Sequence, residues 1–348
     1  MLVFWDAAEL GHSPHFFLQR GMLRRHLETP DRAAALLAAC RAMGLAVAAP
    51  PPADPVALAR VHTPAYLAFL REAWGAWSAL DDRGAEMVPN VHPGAEILAG
   101  CAVPPAGIIG RLGWYTADTA CPITAGTWPA ALAAAATALA AADEVARGRV
   151  AFALARPPGH HAFPARAGGH CYLNNAALAA ERLRDRGAGR VAVLDIDAHH
   201  GNGTQDVFWM RGDVFFASVH GDPDHYYPWF IGRRGERGAG PGEGATLNLP
   251  LPLGADDAAW LAALAQALAA IRAFGPDALV LSLGFDPSRS EPLAFLAVSD
   301  EGFARAGAAI GRLRLPTAIV QEGGYNIESM GRLLSLFLDA FLAAAAAS

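Results

Sequence analysis

The chain has 348 residues, 53% of them hydrophobic, and a formal net charge of −6. That is enough apolar material for one large buried core, and with no basic tract nothing points to nucleic acid or to an anionic membrane surface. The four cysteines (Cys40, Cys101, Cys121, Cys171) form no Cys-x-x-Cys pair, which argues against a zinc finger or a disulfide framework. Lysine is absent and alanine abundant, which reads as codon bias. The first ten residues, MLVFWDAAEL, lack the basic and apolar regions of a signal peptide, and the Ala-rich run 130–142 is too short to span a bilayer. A soluble cytoplasmic protein is expected.

In chain order, residues 2–5 read as a first strand. Residues 11–29 look irregular and carry His12, His15 and His26 without ligand spacing, so surface or pocket-rim positions are expected for them. A helix over 31–43 starts at Thr29-Pro30-Asp31, and the Pro-rich stretch 49–55 is a connector. Residues 61–80 read as a helix whose stripe of Tyr66, Phe69, Leu70, Trp74 and Trp77 faces the core. Residues 81–127 are the longest stretch without periodicity. They hold five prolines among scattered apolar side chains, so they are expected to form an ordered loop that packs on something, a partner subunit being one candidate. From residue 127 strands and helices alternate: helix 128–147, strand 150–154, helix 174–186, strand 191–194, strand 214–219, a Gly-rich loop 221–244, strand 246–249, helix 256–274, strand 278–283, helix 300–313, strand 317–321 and a last helix. That rhythm predicts a single α/β domain over 1–348, a mostly parallel sheet with helices on both faces. Its site is expected outside the carboxyl ends of the strands.

Polar clusters follow four of those strands. RPPGHH, with His160 and His161, follows strand 150–154. Strand 191–194 runs into Asp195, Asp197 and His199; at a spacing of two, these share a face of an extended chain. Gly284-Phe285-Asp286 follows strand 278–283, and Glu322-Gly323-Gly324-Tyr325 follows strand 317–321. If the strands are parallel, all four clusters meet on one rim. Buried carboxylates without a partner cost several kcal/mol, and a bound cation removes that cost. Asp197, His199 and Asp286 supply two oxygens and a nitrogen and leave a position open, as catalytic zinc sites do. Such an ion activates water and polarises a carbonyl. His160 or His161 can then move the proton, and Tyr325 can donate to the oxyanion. Phe163, Tyr172, Tyr226, Tyr227 and Trp229 are candidates for the wall of a narrow apolar channel. The chemistry read from these residues is amide hydrolysis by a metal-activated water.

Together RPPGHH, GGHCYLNNAALAA, LDIDAHHGNGTQDVF, SLGFD and EGGY resemble the deacetylase side of the arginase–deacetylase superfamily: histone deacetylases and bacterial acetylpolyamine amidohydrolases. GRLGWYTADTACPITAGTW resembles the long loop of the latter group. The resemblance implies zinc on Asp197, His199 and Asp286, with Fe(II) or Co(II) as possible substitutes. It implies that Asp195 orients His160 and Asn202 orients His161. His160, beside a carboxylate, would stay charged, and His161 would be the working base and acid. Tyr325 matches the oxyanion tyrosine. Gly169, Tyr227 and His170, the last standing where an aromatic residue is usual, match the channel wall. Structural potassium is implied at Asp195, Asp197 and Ser218 and at backbone oxygens of His199 and Val219. The substrate implied is a small acylated amine such as an acetylpolyamine, and the loop at 81–127 would narrow the entrance and form a homodimer.

Two departures qualify the polyamine reading. That group recognises its cationic substrate with acidic residues at the channel mouth; Asp118 fits one such position, but Phe17 and Ile109 occupy two others. A deacylase for acetyllysine or for neutral or longer acyl amides is therefore the alternative. A di-manganese ureohydrolase would need an Asp-x-Asp pair on the later strand, where this chain has only Asp286 before Pro287-Ser288. An inactive acyl-ligand binding protein would be expected to have lost one of the ligands, bases or oxyanion donors, and none is missing.

Overall fold

A computed structural model of the chain describes every residue except Cys101, Ala294 and Ser348. Its strands are β1 (Leu2–Phe4), β2 (Phe16–Gln19), β3 (Met22–Arg25), β4 (Ala46–Ala48), β5 (Ala151–Ala153), β6 (Val191–Asp195), β7 (Val214–Gly221), β8 (Thr246–Leu251), β9 (Ala278–Leu283) and β10 (Thr317–Gln321). Eight of them form one sheet in the order β4-β1-β5-β10-β9-β6-β7-β8, and every pairing in it is parallel. β2 and β3 form a separate antiparallel hairpin.

The apolar, β-branched strands are buried on both faces, so their alternation divides the interior into two cores. Ala153, Val191, Val193, Val280 and Val320 face one core, closed by the helices Pro64–Ser78, Thr127–Val145 and Asn175–Asp185. Phe152, Leu154, Leu194, Leu281 and Ile319 face the other, closed by Pro30–Ala42, Asp257–Phe274, Asp300–Gly311 and Ile327–Ala346. Two of those helices, Asp257–Phe274 and Ile327–Ala346, are long and apolar enough to cross a membrane by length and composition. Here they lay Trp260, Leu264 and Ile271, and Leu333, Phe337 and Phe341, into the second core.

Several elements depart from the sequence reading. Residues 11–29 contain the β2–β3 hairpin, whose four-residue strands are too short to show apolar alternation. β4 joins the sheet edge from a segment with no strand pattern of its own. Residues 81–127 carry two short helices, Ala95–Leu98 and Ile108–Trp114. A helix, Asn202–Phe208, begins at the glycines after His200, where the sequence reading placed no element. The three described cysteines, Cys40, Cys121 and Cys171, are buried free thiols; Cys101 lies outside the described residues.

Candidate active site

β5, β10, β9 and β6 are four adjacent strands at the centre of the sheet. The polar clusters that follow them therefore meet at one carboxyl edge. Asp197 and Asp286 are fully buried and His199 nearly so. His199 Nδ1 lies 2.9 Å from Asp286 Oδ2 and 3.2 Å from Asp197 Oδ1. The other oxygens are tied back: Asp197 Oδ2 accepts the Gly323 N–H at 2.8 Å, and Asp286 Oδ1 accepts the Ala198 N–H at 2.8 Å. Asp197 Oδ1 also accepts the His199 N–H at 2.9 Å, so backbone donors hold both oxygens of Asp197 and one of Asp286. Glycine is required at 323 because a Cβ there would drive into both carboxylates. Burial and the charge of Asp197 raise Asp286 to about 6. Burial opposes charge on His199, but the two carboxylates outweigh it and raise that imidazole to about 9. Two buried acids and one imidazole, all ligand atoms within 4.8 Å of one another, fit a divalent cation in charge, spacing and donor type. His160, Cys171 and Glu322 form a second close trio, but Glu322 is already bonded to Gly159 N–H, His160 N–H and the Ser282 hydroxyl.

The tandem histidines stand beside this trio with rings 4.0 Å apart. His160 Nδ1 is 2.9 Å from Asp195 Oδ2, and its Nε2 is 3.8 Å from Asp197 Oδ1. His161 Nδ1 is 2.7 Å from Asn202 Oδ1. The pairing splits their basicity. Burial opposes charge on His160, but Asp195 and Asp197 overcome it and raise it to about 10. Burial and the neighbouring imidazoles hold His161 well below the usual value, and an amide partner does little to offset them. Ser218 pairs in register with Asp195, and Val219 follows it on β7, so the residues named for a monovalent cation adjoin at the ends of β6 and β7.

Tyr325 is buried, and its backbone N–H donates to both Glu291 oxygens at 2.9 Å. The Arg32 guanidinium lies 4.9 Å from the Tyr325 ring centre and donates to the carbonyls of Glu322 and Gly324. Arg32 is paired with Glu28 at 2.8 Å, and Glu28 with Arg156. Sequence reasoning missed this buried network. The available signals were Arg156 opening RPPGHH and an arginine on the inner face of an Ala-rich helix.

The channel wall needs one correction and the loop histidines another. Tyr172 is fully buried in the first core, its hydroxyl bonded to the Pro122 carbonyl, so it does not line a channel. Trp229 is 44% exposed. His12, expected at the surface, is buried and bonded to Thr127 at 3.0 Å, while His15 is exposed as expected. His26 is also buried, with its ring 4.4 Å from His170. The remaining wall gathers Gly169, His170, Tyr226 and Tyr227. Tyr226 stacks on His199 at 4.4 Å, and Tyr227 stands edge-on to His161 at 4.9 Å. The His170 ring faces Phe17 at 5.6 Å and Tyr325 at 5.9 Å. Asp118 is bonded to Tyr227, and Ile109 is 53% exposed.

A parallel sheet with this cluster on its carboxyl edge defines a hydrolase of the arginase–deacetylase fold. The histone deacetylase domain matches residues 26–341, and the chain belongs to the histone deacetylase family, a family of metal-dependent enzymes. It is 46% identical over 346 residues to an acetylpolyamine amidohydrolase of Burkholderia pseudomallei strain 1710b, covering 98% of each chain. It is 45% identical to acetylpolyamine amidohydrolase 1 of Pseudomonas aeruginosa, covering 92% of this chain and 93% of that one. The solved acetylpolyamine aminohydrolase from Burkholderia pseudomallei superposes with a TM-score of 0.94 at 45% identity over 99% of both chains. The HDA15 HD domain superposes with a TM-score of 0.80 at 28% identity, covering 98% of this chain and 91% of that one. Within the family the chain groups with the acetylpolyamine amidohydrolases, and it is a deacetylase, a hydrolase of acetyl amide bonds.

Proposed function

We propose that the protein is a zinc-dependent amidohydrolase that deacetylates small N-acyl amines such as acetylpolyamines. The observation that carries the reading is the meeting of Asp197, His199 and Asp286 with the two tandem histidines and Tyr325 at one sheet edge. Zinc held by Asp197, His199 and Asp286 would supply a Lewis acid that brings a water's pKa down to about 7 and polarises the amide carbonyl. His161, neutral and oriented by Asn202, takes the water proton and returns it to the leaving amine. His160, kept cationic by Asp195, stabilises the developing negative charge. Tyr325 donates its hydroxyl to the oxyanion, held in place by Glu291 and Arg32. Gly169, His170, Tyr227 and Asp118 wall the acyl-amine channel. Potassium beside Asp195, Asp197, His199, Ser218 and Val219 would let Asp195 stay ionised while buried. The names and close similarity of the relatives support the acetylpolyamine reading. The exposed apolar side chains Val91, Ile97, Leu98, Val103 and Ile109 on the 81–127 segment support a homodimer through it. The enzyme would work in the cytoplasm, as one domain.

The testing experiment is hydrolysis of a panel by the zinc-loaded protein beside its Asp286→Ala variant. The panel sets N-acetylputrescine and N8-acetylspermidine against acetyllysine peptides and neutral arylamides with several acyl groups. Preference for the acetylated polyamines, lost in Asp286→Ala, is the expected result. Preference for acetyllysine or neutral amides would replace the substrate assignment, with Phe17 and Ile109 as the informative departures. No turnover with zinc bound would leave a binding protein.

A further inference from the structure

Asp118 is a hub rather than a free acid. Its Oδ2 accepts the Tyr227 hydroxyl at 2.6 Å and the Gly169 N–H at 3.0 Å, and its Oδ1 accepts the Ala120 N–H at 2.8 Å. The three donors lie on three segments: its own, the loop after the tandem histidines, and the Gly-rich loop after β7. Each partner leads directly to the chemistry. The Tyr227 ring stands edge-on to His161 at 4.9 Å and 6.1 Å from His199. Gly169 has φ +51°, and a Cβ there would press into the His161 ring and the Tyr227 hydroxyl. The Ala120 carbonyl accepts His170 Nδ1–H at 2.6 Å, and that ring faces Tyr325.

A carboxylate offers about four acceptor positions; three are filled by these donors, and the Cys121 thiol, 3.7 Å from Oδ1, is a weak fourth. A phenol O–H on a carboxylate at this distance is a strong, charge-assisted bond, so a substrate ammonium would have to compete with donors already placed. Phe17 and Ile109, the two other mouth positions named from the resemblance, carry no charge. We infer that Asp118 is a positioning residue that acts through Tyr227 and Gly169, clasping three loops into a channel of set width. The channel then selects a slender N-acyl amine by its stem, and Asp118 itself adds no preference for charge at the far end. This rests on the deacetylase reading above and sharpens its substrate class.

The test uses N-acetylputrescine and N-acetylpentylamine, equal in length, one ending in an ammonium and the other in a methyl group. The zinc-loaded wild type is compared with Asp118→Asn, Tyr227→Phe and the double variant. An amide has one oxygen for the three donors, so the clasp loosens. The expected result is that each single variant lowers kcat/KM for both substrates by about tenfold or more, the strength of a charge-assisted bond. The ratio between substrates stays within about twofold, and the double variant is little worse than Asp118→Asn, because both changes break one interaction. A rise in KM for N-acetylputrescine alone in Asp118→Asn, with Tyr227→Phe unaffected, overturns the inference, as do additive losses. A second readout needs no turnover: the 13Cζ resonance of Tyr227, assigned by its loss in Tyr227→Phe, is expected to shift in Asp118→Asn. If neither amide is hydrolysed by the wild type, the small-amine substrate reading fails, and that resonance still decides the clasp, an unchanged position overturning it.

Discussion

Backbone N–H groups hold both oxygens of Asp197 and one oxygen of Asp286. Fixing a ligand through its outer atoms is what makes a metal site rigid, so the residues that supply or permit those donors matter as much as the ligands. Gly323 does both: its N–H holds Asp197, and its missing side chain leaves space for both acids. Gly323→Ala is expected to weaken metal affinity by at least about 10- to 100-fold, read by titration of the metal-free protein with zinc. Tyr325 is different, because its hydroxyl is proposed to meet the oxyanion and nothing else. Tyr325→Phe is expected to lower kcat by about 100- to 1,000-fold while zinc content stays at the wild-type level. Steady-state kinetics beside metal analysis check both halves. A variant that loses zinc and activity together would put Tyr325 in a structural role.

At the scale of elements, the catalytic loops are tied to their neighbours by buried polar bonds. His62 lies just before the helix Pro64–Ser78. Its Nδ1 is 3.2 Å from the Phe163 carbonyl, and its Nε2 accepts the Asn174 N–H at 2.9 Å. Asn174 in turn caps the helix Asn175–Asp185. One neutral imidazole therefore joins the tandem-histidine loop to two helices. Burial lowers it from the ordinary value of 6.5 to about 4. Between pH 6.5 and pH 4 the unfolded chain binds a proton here that the folded chain does not, so stability from this group falls as pH falls. Relative to His62→Gln, the wild type should lose about 3 kcal/mol across that window and change no further below it. Urea unfolding of both proteins at several pH values measures it, and a flat difference would place the proton elsewhere.

On the scale of the whole molecule, the cluster joins four central strands, so an ion there stabilises the fold it sits on. Removing metal with a chelator is expected to abolish hydrolysis and lower Tm. Zinc should restore both, since a ligand present at 100 times its Kd adds about 2.7 kcal/mol. The apolar side chains exposed on the 81–127 segment yield a different prediction. Ile97→Asp combined with Val103→Asp should convert a dimer to a monomer by light scattering without unfolding it. Much of this molecule was legible before any coordinates. The β/α alternation from residue 127, the parallel sheet and the four strand-end clusters follow from strand-length apolar runs and helical periodicity, which are local signals. Asp197, His199, Asp286, His160, His161 and Tyr325 all stood out because chemistry-bearing residues at strand ends are exposed in the sequence as breaks in apolar runs. The β2–β3 hairpin, β4 and the short helices of the 81–127 segment were not legible, because their stability comes from what they pack against and not from their own pattern. The same holds for buried His12 and Tyr172, the Arg32–Glu28–Arg156 network, and the bond from Asp118 to Tyr227, whose partners lie 109 residues apart. Burial and long-range pairing are properties of the folded whole, and only the tertiary structure decided them.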